Sequence, residues 1–304
     1  MVEGADPAGY DPSGSTVAWR SFHEEALARL GAAGVDAPEV DARRIVEAAS
    51  GFEGGEFHLG LGELATKRGV VRFDAMMERR LAGEPLQYVI GRWGFRTLDL
   101  MVDRRVLIPR PETEVVAGVA LEELERLSAP GRTLTAVDLG TGSGAIGLSL
   151  AAERTDTHVV LTDASAEALQ VARANLAGIG RAATRVMITE GSWFEALGPD
   201  LAGSIDVMVS NPPYVAESDP LPPVVADWEP PEALLAADHG RADLRHLIGG
   251  AGEWLRPGGA LVLEMAPDQT AWAAQAAADV GFVEIAVQRD MAGRDRTVRA
   301  RRPE

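Results

Sequence analysis

Residues 133–302 alternate between short apolar runs and longer segments with helical periodicity, and this alternation limits the fold more than any other feature. The spacing is typical of strand–helix units wound around a parallel sheet. It indicates a doubly wound α/β fold with seven mostly parallel strands. The strands are predicted at 133–139, 158–162, 185–189, 205–210, 260–265, 282–288 and 296–302, and the helices at 144–154, 165–177, 241–255 and 268–280.

The last two strands should depart from the parallel arrangement. The two strands are joined by the short link Asp-Met-Ala-Gly-Arg-Asp at 290–295. A parallel connection needs a crossover of a dozen or more residues, usually a helix. We therefore expect this final pair to be antiparallel.

The N-terminal part of the chain follows a different pattern. Residues 1–15 are rich in Gly, Pro, Asp and Ser, which predicts a disordered tail. Residues 16–84 predict a small helical domain. A capping box at Ser21 should open its first helix, Pro38 should begin a second helix, and 73–82 should form a further helix.

A change of character at residue 85 indicates a linker between two domains. The runs 86–91 and 98–102 are short and β-rich, so 85–110 is predicted to be a linking β-hairpin. A helix over 111–128 then opens the α/β domain, which is predicted to extend from 111 to 304.

Composition and charge exclude several classes of protein. The chain has 46 acidic and 29 basic residues, a net charge of −17. Nucleic-acid-binding surfaces need basic residues to neutralise phosphates, so no nucleic-acid partner is expected. Cysteine is absent and the five histidines lie far apart, which excludes disulfides and predicts no metal site. No membrane span or signal peptide is visible, so a cytoplasmic protein is expected.

A glycine-rich turn follows the first strand of the sheet. The sequence Val-Asp-Leu-Gly-Thr-Gly-Ser-Gly occupies 137–144, and 142–147 also fits Gly-x-Gly-x-x-Gly. Glycine lets the chain turn tightly and lets a ligand approach the backbone, so the turn predicts a nucleoside-cofactor site. Asp163 ends the next strand and could bind two ribose hydroxyls, or it could cap the helix after Ser165. An ordinary tight turn is the alternative for the glycines.

The strand at 205–210 ends in Ser-Asn-Pro-Pro-Tyr, which offers no strong acid, base or nucleophile. Ligands of open α/β sheets bind at the carboxyl ends of the strands, so this motif should lie beside the glycine-rich turn. The Asn211 side chain and the Pro212 carbonyl offer two hydrogen-bond acceptors, and Tyr214 offers a flat ring. Such a site suits a planar NH₂ group attached to a π system. A structural proline-rich turn is the alternative interpretation.

These motifs resemble the class I S-adenosylmethionine-dependent methyltransferases that act on amino groups. More closely, the chain resembles the release factor glutamine methyltransferase (PrmC/HemK) family from about residue 83 to residue 302. Further matching segments are Gly-Glu-Pro-Leu-Gln-Tyr-Val-Ile-Gly at 83–91, Val-Leu-Ile-Pro-Arg-Pro-Glu-Thr-Glu at 106–114 and Met-Ala-Gly-Arg-Asp-Arg at 291–296. Residues 16–84 fit the helical recognition domain of this family in size and character.

The resemblance implies methyl transfer from S-adenosylmethionine to the N5 nitrogen of the glutamine in the Gly-Gly-Gln (GGQ) motif of peptide-chain release factors. These factors are the implied protein partners, and the enzyme is expected to be a monomer. The implied substrate residues are Asn211, Pro212, Pro213 and Tyr214, of which Asn211, Pro212 and Tyr214 are catalytic. The implied cofactor residues are Gly140, Thr141, Gly142, Ser143, Gly144, Asp163, Trp193 and Asn211. Glu112, Thr113 and Glu114 would wall the pocket or supply acids at a helix N-terminus.

Two segments depart from the family pattern. Ser192 stands where the family commonly has Asp in Gly-Asp-Trp-Phe, and Met265 and Ala266 follow Glu264 where Leu-Glu-Ile-Gly is frequent. These departures concern the adenine contact, which the Ser192 hydroxyl or a backbone group would have to supply.

Two other functions are compatible with the motifs. An N6-adenine or rRNA guanine amino-methyltransferase is the main alternative, since Asn-Pro-Pro-Tyr also fits the exocyclic amines of bases. Residues 190–243 carry eleven acids and one arginine, a local net charge of −10, which disfavours phosphate. A cofactor-binding scaffold without catalysis is the third possibility, and the intact Asn-Pro-Pro-Tyr motif disfavours it.

Overall fold

The computed structural model describes residues 17–304 and divides the chain into two compact units. The first unit ends at Ile90 and the second begins at Gly91. This division falls inside the segment 85–110 that the sequence predicts to be a linker. The tail predicted for residues 1–15 lies outside the described residues.

The first unit is helical, as the sequence predicts. Its core is apolar, with Trp19, Phe57, Phe73 and Met77 among the buried side chains. The helices are α1 (Trp19–Ala32), α2 (Pro38–Ser50), α3 (Glu56–Gly60), α4 (Lys67–Leu81) and α5 (Leu86–Ile90).

The strand predicted at 86–91 is wrong, because Leu86–Ile90 form helix α5. Leu86 and Val89 lie three positions apart, so both reach the core of the helical unit from one face of the helix. Arg79 also donates a hydrogen bond to the Val89 carbonyl at 3.1 Å. These tertiary contacts outweigh the β propensity of the run, which is a weak and context-dependent preference.

The capping box predicted at Ser21 is also wrong. Helix α1 begins two positions earlier, at Trp19, and the Ala18 cap makes no side-chain hydrogen bond. The indole of Trp19 packs against Gly69, where a Cβ atom would lie 2.6 Å from the ring. Burial of this large side chain therefore decides where the helix begins.

A hairpin opens the second unit, with β1 (Arg92–Phe95) antiparallel to β2 (Leu98–Met101). A separate two-stranded parallel pair is formed by β7 (Val215–Ala216) and β8 (Leu235–Ala236).

The second unit is built on a seven-stranded sheet, which confirms the predicted fold class. The strands are β3 (Leu134–Leu139), β4 (Thr157–Asp163), β5 (Val186–Glu190), β6 (Ile205–Ser210), β9 (Leu255–Glu264), β10 (Val283–Arg289) and β11 (Asp295–Arg301). Their order is β10-β11-β9-β6-β3-β4-β5. Strands β3, β4, β5, β6 and β9 are parallel, whereas β11 is antiparallel to both β9 and β10. The short link at 290–295 therefore joins an antiparallel pair, as predicted.

Helices cover both faces of this sheet. Val116 of α6 and Ile146 of α7 belong to one apolar core, and Leu247 of α11 and Ala273 of α12 belong to the other. The helices of the unit are α6 (Pro111–Leu127), α7 (Ala145–Glu153), α8 (Ala166–Gly178), α9 (Pro223–Ala226), α10 (Ala237–Gly240), α11 (Ala242–Trp254) and α12 (Thr270–Asp279). Between residues 17 and 304, no helix combines the length and the apolar character needed to cross a lipid bilayer.

Candidate active site

A cavity of about 300 Å³ opens at the carboxyl ends of β3, β4 and β6. Of the predicted site residues, its lining includes Gly140, Thr141, Gly142, Ser143, Asp163, Trp193, Asn211 and Pro213. Gly144, Pro212 and Tyr214 are not part of this lining. Other lining residues are Val106 and Pro109 before α6, Thr113 in its first turn, and Pro230, Glu232 and Leu235.

The glycine-rich turn requires its glycines for geometric reasons. Gly140 has φ +70°, Gly142 has φ +54° and Gly144 has φ +87°, a region that residues with a Cβ atom rarely adopt. A Cβ atom on Gly140 would lie 3.3 Å from the Trp193 ring, so this glycine also lets the indole come close to the turn. Gly144 instead packs against Leu148 at the start of α7, which explains why it does not line the cavity.

The carboxylate of Asp138 stabilises the glycine-rich turn through hydrogen bonds. Its Oδ2 accepts hydrogen bonds from the Thr141 hydroxyl at 2.6 Å and from the Gly147 N–H at 2.9 Å. Burial raises the pKa of Asp138 to about 6. Its Oδ1 is buried without a hydrogen-bond partner among the described residues, and the side chain lines the cavity. The site therefore holds an unused acceptor that a ligand could satisfy.

Asp163 connects the turn to the next helix. Its Oδ2 accepts a hydrogen bond from the Gly142 N–H at 2.8 Å, and its Oδ1 accepts one from the Ser165 N–H at 2.9 Å. Ser165 is the N-cap of α8, so the capping interpretation describes one of these contacts. Asp163 also lines the cavity, and burial raises the pKa of its carboxyl. The ribose contact stays a prediction.

Trp193 has φ +48°, which marks a tight backbone turn after β5. Its indole N–H donates a hydrogen bond to Asp243 in the first turn of α11, a contact that lowers the Asp243 pKa against a larger upward effect of burial. Both residues line the cavity, and so does Ser192. The structure therefore places Ser192 in the cavity wall beside Trp193.

Asn211 follows β6 and is fixed from two sides. Its Nδ2 donates a hydrogen bond to the Thr113 hydroxyl at 3.3 Å. Ser210, just before it, donates a hydrogen bond from its hydroxyl to the Leu139 carbonyl at 2.6 Å, which ties the end of β6 to the end of β3. Pro212 is buried, and Pro213 lines the cavity.

Tyr214 turns away from the cavity lining toward the end of β9. Its hydroxyl donates a hydrogen bond to Glu264 Oε1 at 3.2 Å. Burial and the adjacent Glu264 carboxyl raise the pKa of Tyr214 above its usual value. Gln269 donates a hydrogen bond to the Tyr214 carbonyl at 3.0 Å and a second one to the Gly240 carbonyl at 3.1 Å. The backbone of the motif is therefore held at this end too.

The predicted group Glu112, Thr113 and Glu114 divides into two roles. Thr113 lines the cavity. Glu112 instead pairs with Arg294 at 2.5 Å, and Glu114 accepts a hydrogen bond from the Arg96 N–H at 3.2 Å. Both acids lie in the first turn of α6, as the helix-terminus interpretation expects.

Sequence reasoning missed three residues that support the site from outside the cavity lining. Glu229 is buried, accepts a hydrogen bond from the Ile108 N–H at 3.1 Å and forms an ion pair with Arg110. Glu264 and Gln269 support Tyr214. One signal in the sequence could have pointed to Glu264. An acid within an apolar strand is expected to be buried, and a buried acid needs a hydrogen-bonding or charged partner.

Two protein-family models match the chain. The Methyltransferase small domain matches residues 119–226, which contain the glycine-rich turn and the Asn-Pro-Pro-Tyr motif, and the PrmC N-terminal domain matches residues 23–91. A crystal structure of a methyltransferase from Pyrococcus furiosus has the same fold, with a TM-score of 0.50 and 18% identity over 75% of this chain and 98% of that one. Fold and site thus define an α/β methyltransferase.

Curated relatives identify the family. A protein of Deinococcus radiodurans is 40% identical over 93% of this chain and 98% of its own length. A protein of Moorella thermoacetica is 40% identical over 92% and 97%, and one of Xylella fastidiosa is 44% identical over 76% and 81%. Each is named release factor glutamine methyltransferase. The chain belongs to the release factor glutamine methyltransferase family, which confirms the resemblance drawn from its motifs.

Proposed function

We propose that this chain transfers a methyl group from S-adenosylmethionine to the side-chain amide nitrogen of the glutamine in the GGQ motif of release factors. The observation that carries the proposal is a shared cavity: Asn211 and Pro213 line the same space as the glycine-rich turn and Asp163. A methyl donor bound on the turn and an amide bound at Asn211 would meet there. The name shared by the relatives supplies the class of substrate.

The residues around the turn fit S-adenosylmethionine. Asp163 offers carboxylate oxygens to ribose hydroxyls, and the Trp193 ring offers an apolar wall for adenine. The unpartnered Oδ1 of Asp138 suits a ligand that carries positive charge or donor groups. When bound, this cofactor supplies an electrophilic methyl group on a sulfonium.

Asn211 acts on the acceptor amide by accepting its hydrogen bonds. The Nδ2 of Asn211 is used by Thr113, so the side-chain oxygen is the atom that remains to accept an N–H of the substrate. The Pro212 carbonyl is proposed as the second acceptor. Two acceptors raise the electron density on a nitrogen that is otherwise a poor nucleophile, and they stabilise the positive charge that develops on it.

Positioning supplies the rest of the catalysis. The residues of the motif offer no strong base, so the proton is expected to leave the nitrogen late, to water. Alignment of the nitrogen with the methyl group can contribute several kcal/mol, because it replaces an encounter in solution by a fixed geometry. The hydrogen bonds of Ser210 and Asn211 to other elements provide the rigidity that such alignment needs.

We further propose that the N-terminal helical unit recognises the release factor. This unit matches the PrmC N-terminal domain and lies outside the segment that binds the cofactor in this proposal. The site draws on the second unit of one chain alone, so a monomer suffices. Release factors act during translation in the cytoplasm, and the proposal therefore places the enzyme there.

A nucleic-acid amine is the competing acceptor. The net charge of −10 over residues 190–243 opposes phosphate near the Asn-Pro-Pro-Tyr motif. In the deciding assay, the enzyme and radiolabelled S-adenosylmethionine are incubated separately with a release factor, with free tRNA or rRNA, and with duplex DNA. The proposal expects label on the release factor alone, with Asn211→Ala as the inactive control. Label on a nucleic acid and none on the release factor would overturn it.

A further inference from the structure

Glu264 is a buried acid that none of the proposed steps uses. It lies at the end of β9 and is only 1% exposed, so its carboxylate requires a partner. Its Oε1 accepts the hydrogen bond of the Tyr214 hydroxyl at 3.2 Å. Its Oε2 is buried as well.

The groups around Glu264 come from three neighbouring elements. Thr113 and Glu112 face it from α6, Tyr214 faces it from the Asn-Pro-Pro-Tyr turn and Arg296 faces it from β11. Burial and Glu112 raise the pKa of Glu264, whereas Thr113, Tyr214 and Arg296 lower it, and the result is about 7. Both ionisation states are therefore populated at neutral pH.

Tyr214 is held at its two ends. Gln269 binds its backbone carbonyl at 3.0 Å, and Gly240 packs so closely against the same carbonyl that a Cβ atom would collide with it. The ring can still rotate about its side-chain torsions. The hydrogen bond from the hydroxyl to Glu264 restricts that rotation, and it is stronger when the acceptor is ionised.

We propose that Glu264 is a positioning residue for methyl transfer: its ionised carboxylate holds the Tyr214 hydroxyl and thereby fixes the Asn-Pro-Pro-Tyr turn, whose Asn211 and Pro213 line the cavity. The effect on catalysis rests on the proposed function. The link between Glu264 and Tyr214 does not, because both residues belong to the free enzyme. The two parts can therefore be tested separately.

The first test follows Tyr214 in the free wild-type enzyme. The chain has three tyrosines, so an NMR spectrum with the ring Cζ carbon labelled is simple, and the Tyr214→Phe variant identifies the resonance of Tyr214. The resonance is expected to shift with a midpoint near pH 7, as Glu264 ionises. Glu264→Gln should abolish the shift. A Tyr214 resonance that does not move between pH 5.5 and 8.5, about 1.5 pH units either side of that midpoint, overturns the proposal.

The second test measures the rate of methylation of a release factor against pH. Wild-type kcat is expected to fall about fivefold from pH 8 to pH 6. A change of that size corresponds to the difference in free energy between a hydrogen bond to a charged acceptor and one to a neutral acceptor. Glu264→Gln keeps an acceptor but cannot ionise, so its kcat should be low and constant, with an unchanged affinity for S-adenosylmethionine. Glu123→Gln removes a buried carboxylate of α6 that pairs with Arg301, and it should keep the wild-type pH profile.

The outcomes separate the two proposals. If Glu264→Gln shows the wild-type pH profile, Glu264 has no positioning role. If the wild-type enzyme methylates no release factor, the proposed function fails, and the tyrosine titration still decides whether Glu264 holds Tyr214. The titration curve itself is measured on the wild-type protein, and Tyr214→Phe serves only to assign the resonance.

Discussion

The Asn211 amide donates a hydrogen bond to the Thr113 hydroxyl at 3.3 Å, although 98 positions separate the two residues in the chain. Asn211 follows β6, and Thr113 lies in the first turn of α6. The contact joins the Asn-Pro-Pro-Tyr turn to the segment at 106–114, and both residues line the cavity. It determines which end of the Asn211 amide is available to a substrate, and the proposed mechanism depends on that choice.

Asn211→Ala should reduce kcat more than tenfold and leave the Kd for S-adenosylmethionine nearly unchanged. The variant removes an acceptor that acts mainly in the transition state, and a loss of that kind appears in kcat. Steady-state kinetics and calorimetry give the two values. Gln275→Ala, an exposed amide on α12, serves as the control. A variant that keeps more than about a tenth of the wild-type kcat, a loss below ~1.4 kcal/mol, would remove Asn211 from the mechanism.

Asp163→Ala should raise the Kd for S-adenosylmethionine tenfold or more. It removes the proposed ribose contact, and it also removes the acceptor that holds the Gly142 N–H in the turn. Charged hydrogen bonds contribute about 1.5–3 kcal/mol each, so even one lost contact reaches that factor. Glu167→Ala changes an exposed acid in the first turn of α8, the helix that follows Asp163, and this variant should bind S-adenosylmethionine normally. An unchanged Kd for Asp163→Ala would leave only the capping role.

Asp138→Asn should stabilise the cofactor-free protein at neutral pH. The pKa of Asp138 is raised from 3.8 to about 6, so the folded state holds its proton more tightly than the unfolded state. The stability that this provides is present below pH 3.8 and is lost as the pH rises through 6, by about 3 kcal/mol. Urea unfolding at pH 4.5 and 7.5 measures the free energy of unfolding on both sides of the raised pKa, with pH 7.5 roughly 1.5 units above it. The free energy of unfolding should fall less between these two pH values in the variant than in the wild type. Equal losses in both proteins would contradict the assignment.

Removal of the N-terminal unit should leave binding of S-adenosylmethionine intact and abolish recognition of the release factor. A chain that begins at Gly91 keeps the whole cavity, because its lining residues start at Arg105. We expect this fragment to bind S-adenosylmethionine with unchanged affinity and to lose methylation of the intact release factor. Calorimetry and the radiolabel assay measure the two properties. Full activity on the folded release factor would show that the helical unit is not needed for recognition.

The sheet could be predicted well from the sequence because each strand is a short apolar run bounded by turn residues. Strand β6 was predicted at 205–210 and is observed at Ile205–Ser210, since all six of its side chains are buried and the run is bounded by clear turn residues. The short link at 290–295 was enough to predict an antiparallel pair. By contrast, the helix at Leu86–Ile90 resembles a strand locally, and only its tertiary packing makes it helical.

The site was predictable where one motif carries the chemistry and not where distant segments meet. The glycine-rich turn and Asn211 are adjacent because their strands are neighbours, which follows from the fold. The contact of Tyr214 with Glu264 joins residues 50 positions apart, and nothing in either local sequence indicates it. Glu229 lies in an irregular segment, where periodicity gives no information about burial.

The identity of the methylated atom tests the central claim most directly. A release factor incubated with the enzyme and S-adenosylmethionine should show, by peptide mass spectrometry, one added methyl group on the side chain of the glutamine in the Gly-Gly-Gln motif. Replacement of that glutamine by asparagine should slow transfer ~100-fold, because the nitrogen is withdrawn by about an ångström. Replacement by glutamate should abolish transfer, since no N–H remains. A methyl group on a backbone nitrogen, on lysine or arginine, or only on added RNA would contradict the claim.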